Sequence, residues 1–199
     1  MTIAPGTNAF YDAWAASGQE SARSAISHHF ESAFAPGARV LDVGCGKGRD
    51  VVALLDMGFD AYGVEPHDAM RAHAIEHHPQ LAPRLAAAAL PQIGQPFGGG
   101  FDALVCSAVL MHLSTHALPA ALAALSAVLA PRARVLMAVP EMKVDLLIDG
   151  RDPDRRDFTN HAPEHLQRLM AELGFALMQR EEIPTPSTDT RWRVLLFDR

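Results

Sequence analysis

Val40-Leu41-Asp42-Val43-Gly44-Cys45-Gly46-Lys47-Gly48 joins an apolar run to three glycines at alternate positions. Arg39–Val43 is a short apolar run, and it ends in a cluster of glycines, so it reads as a buried strand. Residues 49–57 follow with Val51, Val52, Leu54 and Leu55 at helical spacing, and Gly58 closes that helix at its C′ position. A strand, a glycine turn and a helix start therefore come in immediate succession. In open α/β sheets the ligand lies beyond the carboxyl ends of the strands, and glycines there let a ligand approach without meeting a Cβ. The spacing is Gly-x-Gly-x-Gly, whereas a dinucleotide turn needs Gly-x-Gly-x-x-Gly. A nucleoside triphosphate loop ends in Lys-Ser/Thr, and here Gly48 is followed by Arg49-Asp50. Asp42, just before the turn, would repel a pyrophosphate and suits a cation.

Outward from this turn, strands and helices alternate. Residues 8–34 read as helical, carrying Phe10, Trp14 and Ile26, until Pro36 and Gly37 break the pattern. Residues 60–65 form a second strand that ends in Gly63-Val64-Glu65-Pro66. An acid about 20 residues beyond the turn is placed to accept both hydroxyls of a ribose; the competing reading is a solvated charge. A helix over 67–78 and an alanine-rich third strand over 84–89 follow. A Gly- and Pro-rich loop covers 91–100, and a buried strand covers 101–106. The chain continues with a helix over 118–129 stopped by Pro131, a strand over 134–139, and a helix from Pro163 to Gly174. Strands over 176–183 and 191–197 finish it, and their connection is too short for a parallel crossover, so they pair antiparallel. The alternation implies a mostly parallel sheet covered by helices on both faces.

After the fourth strand comes Cys106-Ser107-Ala108-Val109-Leu110-Met111-His112-Leu113, a segment that should lie beside the ligand. His112 is the titratable side chain there, and an ordinary pKa near 6.5 suits proton removal at neutral pH. A helix-start histidine that only packs is the equal alternative. Asp102 is expected to hydrogen-bond nearby backbone.

The bulk properties agree with one domain over residues 1–199. The chain is 49% apolar, enough for a sizeable core. A formal net charge of -6 argues against a nucleic-acid partner, which usually meets a basic face. Two cysteines far apart in sequence, Cys45 and Cys106, point to a reducing cytoplasm and to small packing residues. No basic start followed by an apolar run opens the chain, and no stretch approaches the roughly 20 apolar residues of a bilayer span.

These three blocks, in this order, resemble the motifs of class I methyltransferases that use S-adenosylmethionine (SAM), especially the small bacterial enzymes acting on small molecules. The resemblance is good over residues 39–139 and looser in the flanks. It implies a Rossmann-like, doubly wound sheet of seven strands, mostly parallel with one antiparallel strand. It implies that Asp42, Gly44, Cys45, Gly46 and Gly48 surround the methionine part of SAM, that Glu65 binds the ribose, and that Pro66 and Met70 flank the adenosine. Cys106, Ser107 and Leu110 would line the site below the sulfonium, and Tyr11 and Trp14 would close over the cofactor. Relatives often carry an acid shortly before a Leu-Pro pair to bind adenine. Here Ala86 to Ala89 precede Leu90-Pro91, which leaves backbone recognition with Ala87 and Leu90 as the candidates. An Asn/Asp-Pro-Pro-aromatic motif after the fourth strand is absent, which lowers the case for DNA-base methylation.

Residues 140–160 are long and poorly periodic, and a loop of that length usually has a role. We expect an acceptor lid there, with residues 8–34 as a helical cap. Arg151, Arg155 and Arg156 either hold an anionic acceptor or pair with Asp149, Asp152, Asp154 and Asp157. His73 with His77 and His78, His112 with His116, and His161 with His165 lack the cysteines or carboxylates of a persuasive shell, so no functional metal is expected. The resulting expectation is methyl transfer from SAM to a small-molecule acceptor, with His112 as base. A protein or RNA methyltransferase and a non-catalytic SAM-binding regulator are the alternatives, and the oligomeric state stays open.

Overall fold

The computed structural model describes residues 5–17, 24, 26–185 and 190–199. Seven strands form one sheet in the order β3-β2-β1-β4-β5-β7-β6. They are β1 (Arg39–Val43), β2 (Asp60–Val64), β3 (Leu85–Ala86), β4 (Phe101–Ser107), β5 (Leu129–Met142), β6 (Ala176–Thr185) and β7 (Thr190–Asp198). β1, β2, β3, β4 and β5 pair in parallel, and β7 runs antiparallel to both β5 and β6. The seven-stranded, mostly parallel sheet expected from the sequence is the observed one. The chain leaves β1 toward β2 and β3 on one side, then returns to β4 on the other. The carboxyl ends of β1 and β4 are therefore the topological switch point, where such sheets bind their ligands.

The helices are α1 (Pro5–Ala16), α2 (Phe30–Ala33), α3 (Arg49–Asp56), α4 (Asp68–His77), α5 (Leu118–Ala127) and α6 (Pro163–Glu172). Two apolar layers sandwich the sheet. One gathers Leu41, Leu104, Leu122, Val135, Leu166 and Phe197. The other gathers Val40, Phe30, Leu54, Leu81, Val105 and Leu136. Successive residues of β1 and β4 thus point into opposite layers, as strand geometry requires.

Three expectations change. The helix expected over 8–34 is α1, closed at Ser17 by an N–H to Trp14 carbonyl bond, and then a 3-10 turn (Ser27–His29) leading into α2. Residues 18–23 and 25 of that expected helix lie outside the described residues. The third strand shrinks from 84–89 to two residues, because the alanines after Ala86 leave the ladder. β5 starts at Leu129, ahead of Pro131. Pro131 sits exposed where the β4–β5 register shifts, an irregular edge that tolerates a missing N–H.

Candidate active site

The turn after β1 is built for close approach. Gly44, Gly46 and Gly48 all have left-handed φ, at +72°, +55° and +80°. The Gly44 and Cys45 N–H groups donate to the Val64 carbonyl at 2.8 and 3.1 Å, which ties the turn to the end of β2. A Cβ on Gly44 would overlap Val109 Cγ2, so β1 and the segment after β4 meet with no room to spare.

Above this turn lies a cleft of about 880 Å³. Tyr11, Trp14, Asp42, Gly44, Cys45, Gly46, Glu65, Pro66, Met70, Leu90, Ser107 and His112 all line it. Segments more than 100 residues apart are thereby brought to one place. Four expected residues are not on the wall. Cys106 and Leu110 are buried in the core: alternation along β4 turns Cys106 inward, and Leu110 packs into the same layer from the 3-10 turn that follows the strand. Gly48 caps α3, and its Cβ direction faces Leu81 and Ala74 rather than the cleft. Ala87 is exposed, while Ala88 and Ala89 take the wall position beside Leu90.

The floor of the cleft is acidic. Asp42 is only 3% exposed, and burial, reinforced by the Asp50 carboxylate, holds its carboxyl well above its ordinary pKa. Glu65 is held in place by two backbone donors: Oε2 accepts the Gly46 N–H and Oε1 accepts the His67 N–H, each at 3.0 Å. Burial raises its pKa as well, against those two hydrogen bonds. Buried carboxylates that resist ionisation favour a cationic ligand and disfavour a phosphate. Burial, with Asp42 and Glu65 adding to it, also pushes the Cys45 thiol far up, and burial does the same to Cys106. Neither thiol is a nucleophile at neutral pH.

The roof comes from α1 and the segment after β5. The His112 ring bridges them. Its Nδ1 lies 2.7 Å from the Asp157 carbonyl, which only accepts, so Nδ1 carries the proton. Nε2 is then the lone-pair nitrogen, and it receives the Tyr11 hydroxyl proton at 2.8 Å. Burial lowers the His112 pKa below its ordinary 6.5 and raises that of Tyr11. The pair is therefore a neutral phenol on a neutral imidazole. The Asp157 N–H donates to Thr7 Oγ1 at 2.9 Å, so α1 holds the carbonyl that orients His112. Trp14 packs its ring against the Lys47 ammonium, 4.9 Å from the centroid.

Two of the three arginines considered in residues 140–160, Arg151 and Arg156, pair with acids of the same segment. Arg156 Nε donates to Asp152 Oδ2 at 2.7 Å, and its guanidinium lies 4.3 Å from the centroid of the Phe10 ring. Arg151 lies 3.7 Å from Asp157. Asp102 accepts the Arg39 N–H at 2.9 Å, the structural role expected of it. None of the three histidine groups considered from sequence gathers three metal-ligating side chains among the described residues.

The far wall is apolar and was not foreseen. Met111, Met142, Phe158, Ile183 and Trp192 line it. Ile183 and Trp192 face each other across the β6–β7 ladder, near the end of strands that outrun their neighbours. Strand length was the only sequence signal for them.

A methyltransferase-domain family model matches residues 14–180. The chain belongs to that family. Its fold is that of the class I methyltransferases, a family that draws its methyl group from SAM. Among curated proteins it is 35% identical over 79 residues to glycine N-methyltransferase of Oryctolagus cuniculus, a match covering 34% of this chain and 27% of the relative. It is 31% identical over 149 residues to protein-L-isoaspartate O-methyltransferase of Methylorubrum extorquens (strain PA1), covering 72% of this chain and 61% of the relative. The match thus spans less than two thirds of either relative. The methyltransferase fold is shared with the 1,6-didemethyltoxoflavin-N1-methyltransferase of Burkholderia thailandensis, solved with 1,6-didemethyltoxoflavin and S-adenosylhomocysteine. The TM-score is 0.73 at 21% identity, over 96% of this chain and 84% of that one. No helix among the described residues is long and apolar enough to cross a membrane.

Proposed function

We propose that this methyltransferase domain moves the methyl group of SAM to a small, largely apolar acceptor carrying an acidic hydroxyl or nitrogen. The observation that carries the reading is one cleft with three walls of different chemistry. An acidic floor suits a cationic donor, an apolar wall suits the acceptor, and the Tyr11–His112 pair stands in the same cleft. A cleft of about 880 Å³ is within the usual range for small-molecule sites and is roomy enough for two ligands.

The donor set fits SAM. Asp42 and the glycine turn would hold its amino acid end, Glu65 its ribose hydroxyls, and Pro66, Met70 and Leu90 its adenosine. SAM bound there supplies an electrophilic methyl group on a sulfonium. The protein's part is alignment, which in favourable intramolecular cases contributes about 7–11 kcal/mol. Its second part is proton removal. His112 keeps Nε2 unprotonated at neutral pH, and the Tyr11 hydroxyl is the group between that nitrogen and the cleft. A proton leaving the acceptor passes to Tyr11 Oη as the Tyr11 proton passes to His112 Nε2, so no phenolate has to form. α1 and residues 140–160 act as the acceptor lid, and a reducing cytoplasm fits the two free, buried cysteines.

The test is methyl transfer from labelled SAM into a size-fractionated cell extract. Label in the small-molecule fraction supports this function. Label confined to protein or RNA contradicts it. SAM binding without label in any fraction identifies a non-catalytic binder.

A further inference from the structure

His28, His29 and Glu181 come together on a part of the molecule that methyl transfer does not use. His28 and His29 belong to the 3-10 turn before α2, and Glu181 lies on β6, the edge strand of the sheet. One ligand atom from each lies within 4.8 Å of the others. His29 Nε2 and Glu181 Oε2 are 3.2 Å apart. The two imidazoles lie side by side, with ring centroids 4.0 Å apart. A tetrahedral shell with metal–ligand bonds near 2.1 Å sets its ligand atoms about 3.4 Å apart. The His29–Glu181 pair already has that spacing. His28 is exposed, so its side chain is free to turn and close the remaining distance.

A second observation points to a ligand. His29 is 8% exposed, and its Nε2 is buried with no hydrogen-bond partner among the described residues. The Glu181 carboxylate beside it is half exposed and pairs with the ring as an ion only when the ring is protonated. A buried nitrogen left this way is costly unless something else binds it. A cavity of about 10 Å³ also borders His29, between Ser32 and Gln179. It is about the size that holds one water, so the packing around the His29 ring leaves a small gap. No residue lining that cavity also lines the methyl-transfer cleft.

We propose that His28, His29 and Glu181 bind one divalent transition metal of borderline softness, Zn²⁺ in kind, as a clip between the turn before α2 and the edge of the sheet. Two imidazoles and a carboxylate form the nitrogen–oxygen set that such ions take. The clip joins residues 152 positions apart, so it restrains a long stretch of chain when it closes. Metal-site spacing along a helix is what sequence reading looks for. This set escapes such reading because two ligands are adjacent and the third is remote.

The test uses the untagged full chain, freed of metal by chelator. It is titrated with Co²⁺, followed by visible absorption, and with Zn²⁺, followed by calorimetry and by thermal unfolding. The expected result is one equivalent bound, a Co²⁺ spectrum of low coordination number, and a Tm that rises with Zn²⁺. Glu181→Gln and His29→Ala should each weaken Zn²⁺ binding at least tenfold. His73→Ala/His77→Ala should leave it unchanged. Glu181→Gln is at a partly exposed position, so its metal-free unfolding curve should match the parent, and its methyl transfer should be unaltered. Absence of a one-equivalent endpoint overturns the proposal. So does binding that survives Glu181→Gln and disappears in the His73→Ala/His77→Ala variant.

Discussion

At the scale of single residues, the cleft places chemistry where stability alone would not. Asp42 illustrates the trade. Its folded pKa lies above the ordinary 3.8 because of burial, so the folded, ligand-free protein holds that proton more tightly than the unfolded chain. Its stabilising contribution is present at low pH and is lost as pH rises through the folded value. Asp42→Asn removes that loss. We expect the ligand-free variant to melt above the parent at pH 7.5 by calorimetry, and to bind SAM about tenfold or more weakly, the usual scale for losing a charged hydrogen bond. His112 has the opposite sign. Burial lowers its pKa, so it is neutral and basic at pH 7 and gains its proton only below 6.5. A kcat profile should be flat above pH 7 and fall on the acid side. His112→Ala should cost about 10²-fold in kcat and erase that acid limb. Tyr11→Phe should lower kcat while leaving SAM affinity within a few fold. That Asp42, Gly44, Gly46, Glu65 and His112 share one cleft was legible because each follows a strand end at a spacing that chemistry constrains. The Tyr11–His112 bond was not, since nothing local links residues 101 positions apart.

At the scale of elements, β1, its turn and β4 were readable because buried parallel strands appear as unbroken apolar runs. β3 was overestimated because alanines carry no strand signal, and only Leu85 and Ala86 pair. The apolar wall was invisible because Ile183 and Trp192 reach the cleft only through the β6–β7 pairing. Gly48 shows why a motif residue need not touch a ligand. It starts α3 in a left-handed conformation, and a Cβ there would come within 2.6 Å of Leu81 Cδ1. Gly48→Ala should destabilise the fold by about 1–3 kcal/mol in denaturant titration, from overpacking and backbone strain. The segment 140–160 is fastened to α1. Thr7 is 2% exposed, and its hydroxyl takes the Asp157 N–H. Thr7→Val leaves that N–H unpaired. Limited proteolysis should then cut within residues 152–158 sooner than in the parent, with kcat falling because the carbonyl orienting His112 is released.

At the scale of the whole molecule, the strand order puts the opening between β1 and β4, and α1 and the 140–160 segment roof it. Folding and ligand binding are therefore coupled. SAM at 100 times its Kd should add about 2.7 kcal/mol of stability to the folded state. The proposed function requires the acidic floor to select its ligand by charge as well as by shape. It is tested most directly by calorimetric titration of the ligand-free protein with SAM and with NAD, repeated on Glu65→Gln. One SAM should bind per chain, at least tenfold more weakly in Glu65→Gln, with no measurable heat from NAD. Saturable NAD binding with no SAM binding, or a SAM affinity indifferent to Glu65→Gln, would contradict it.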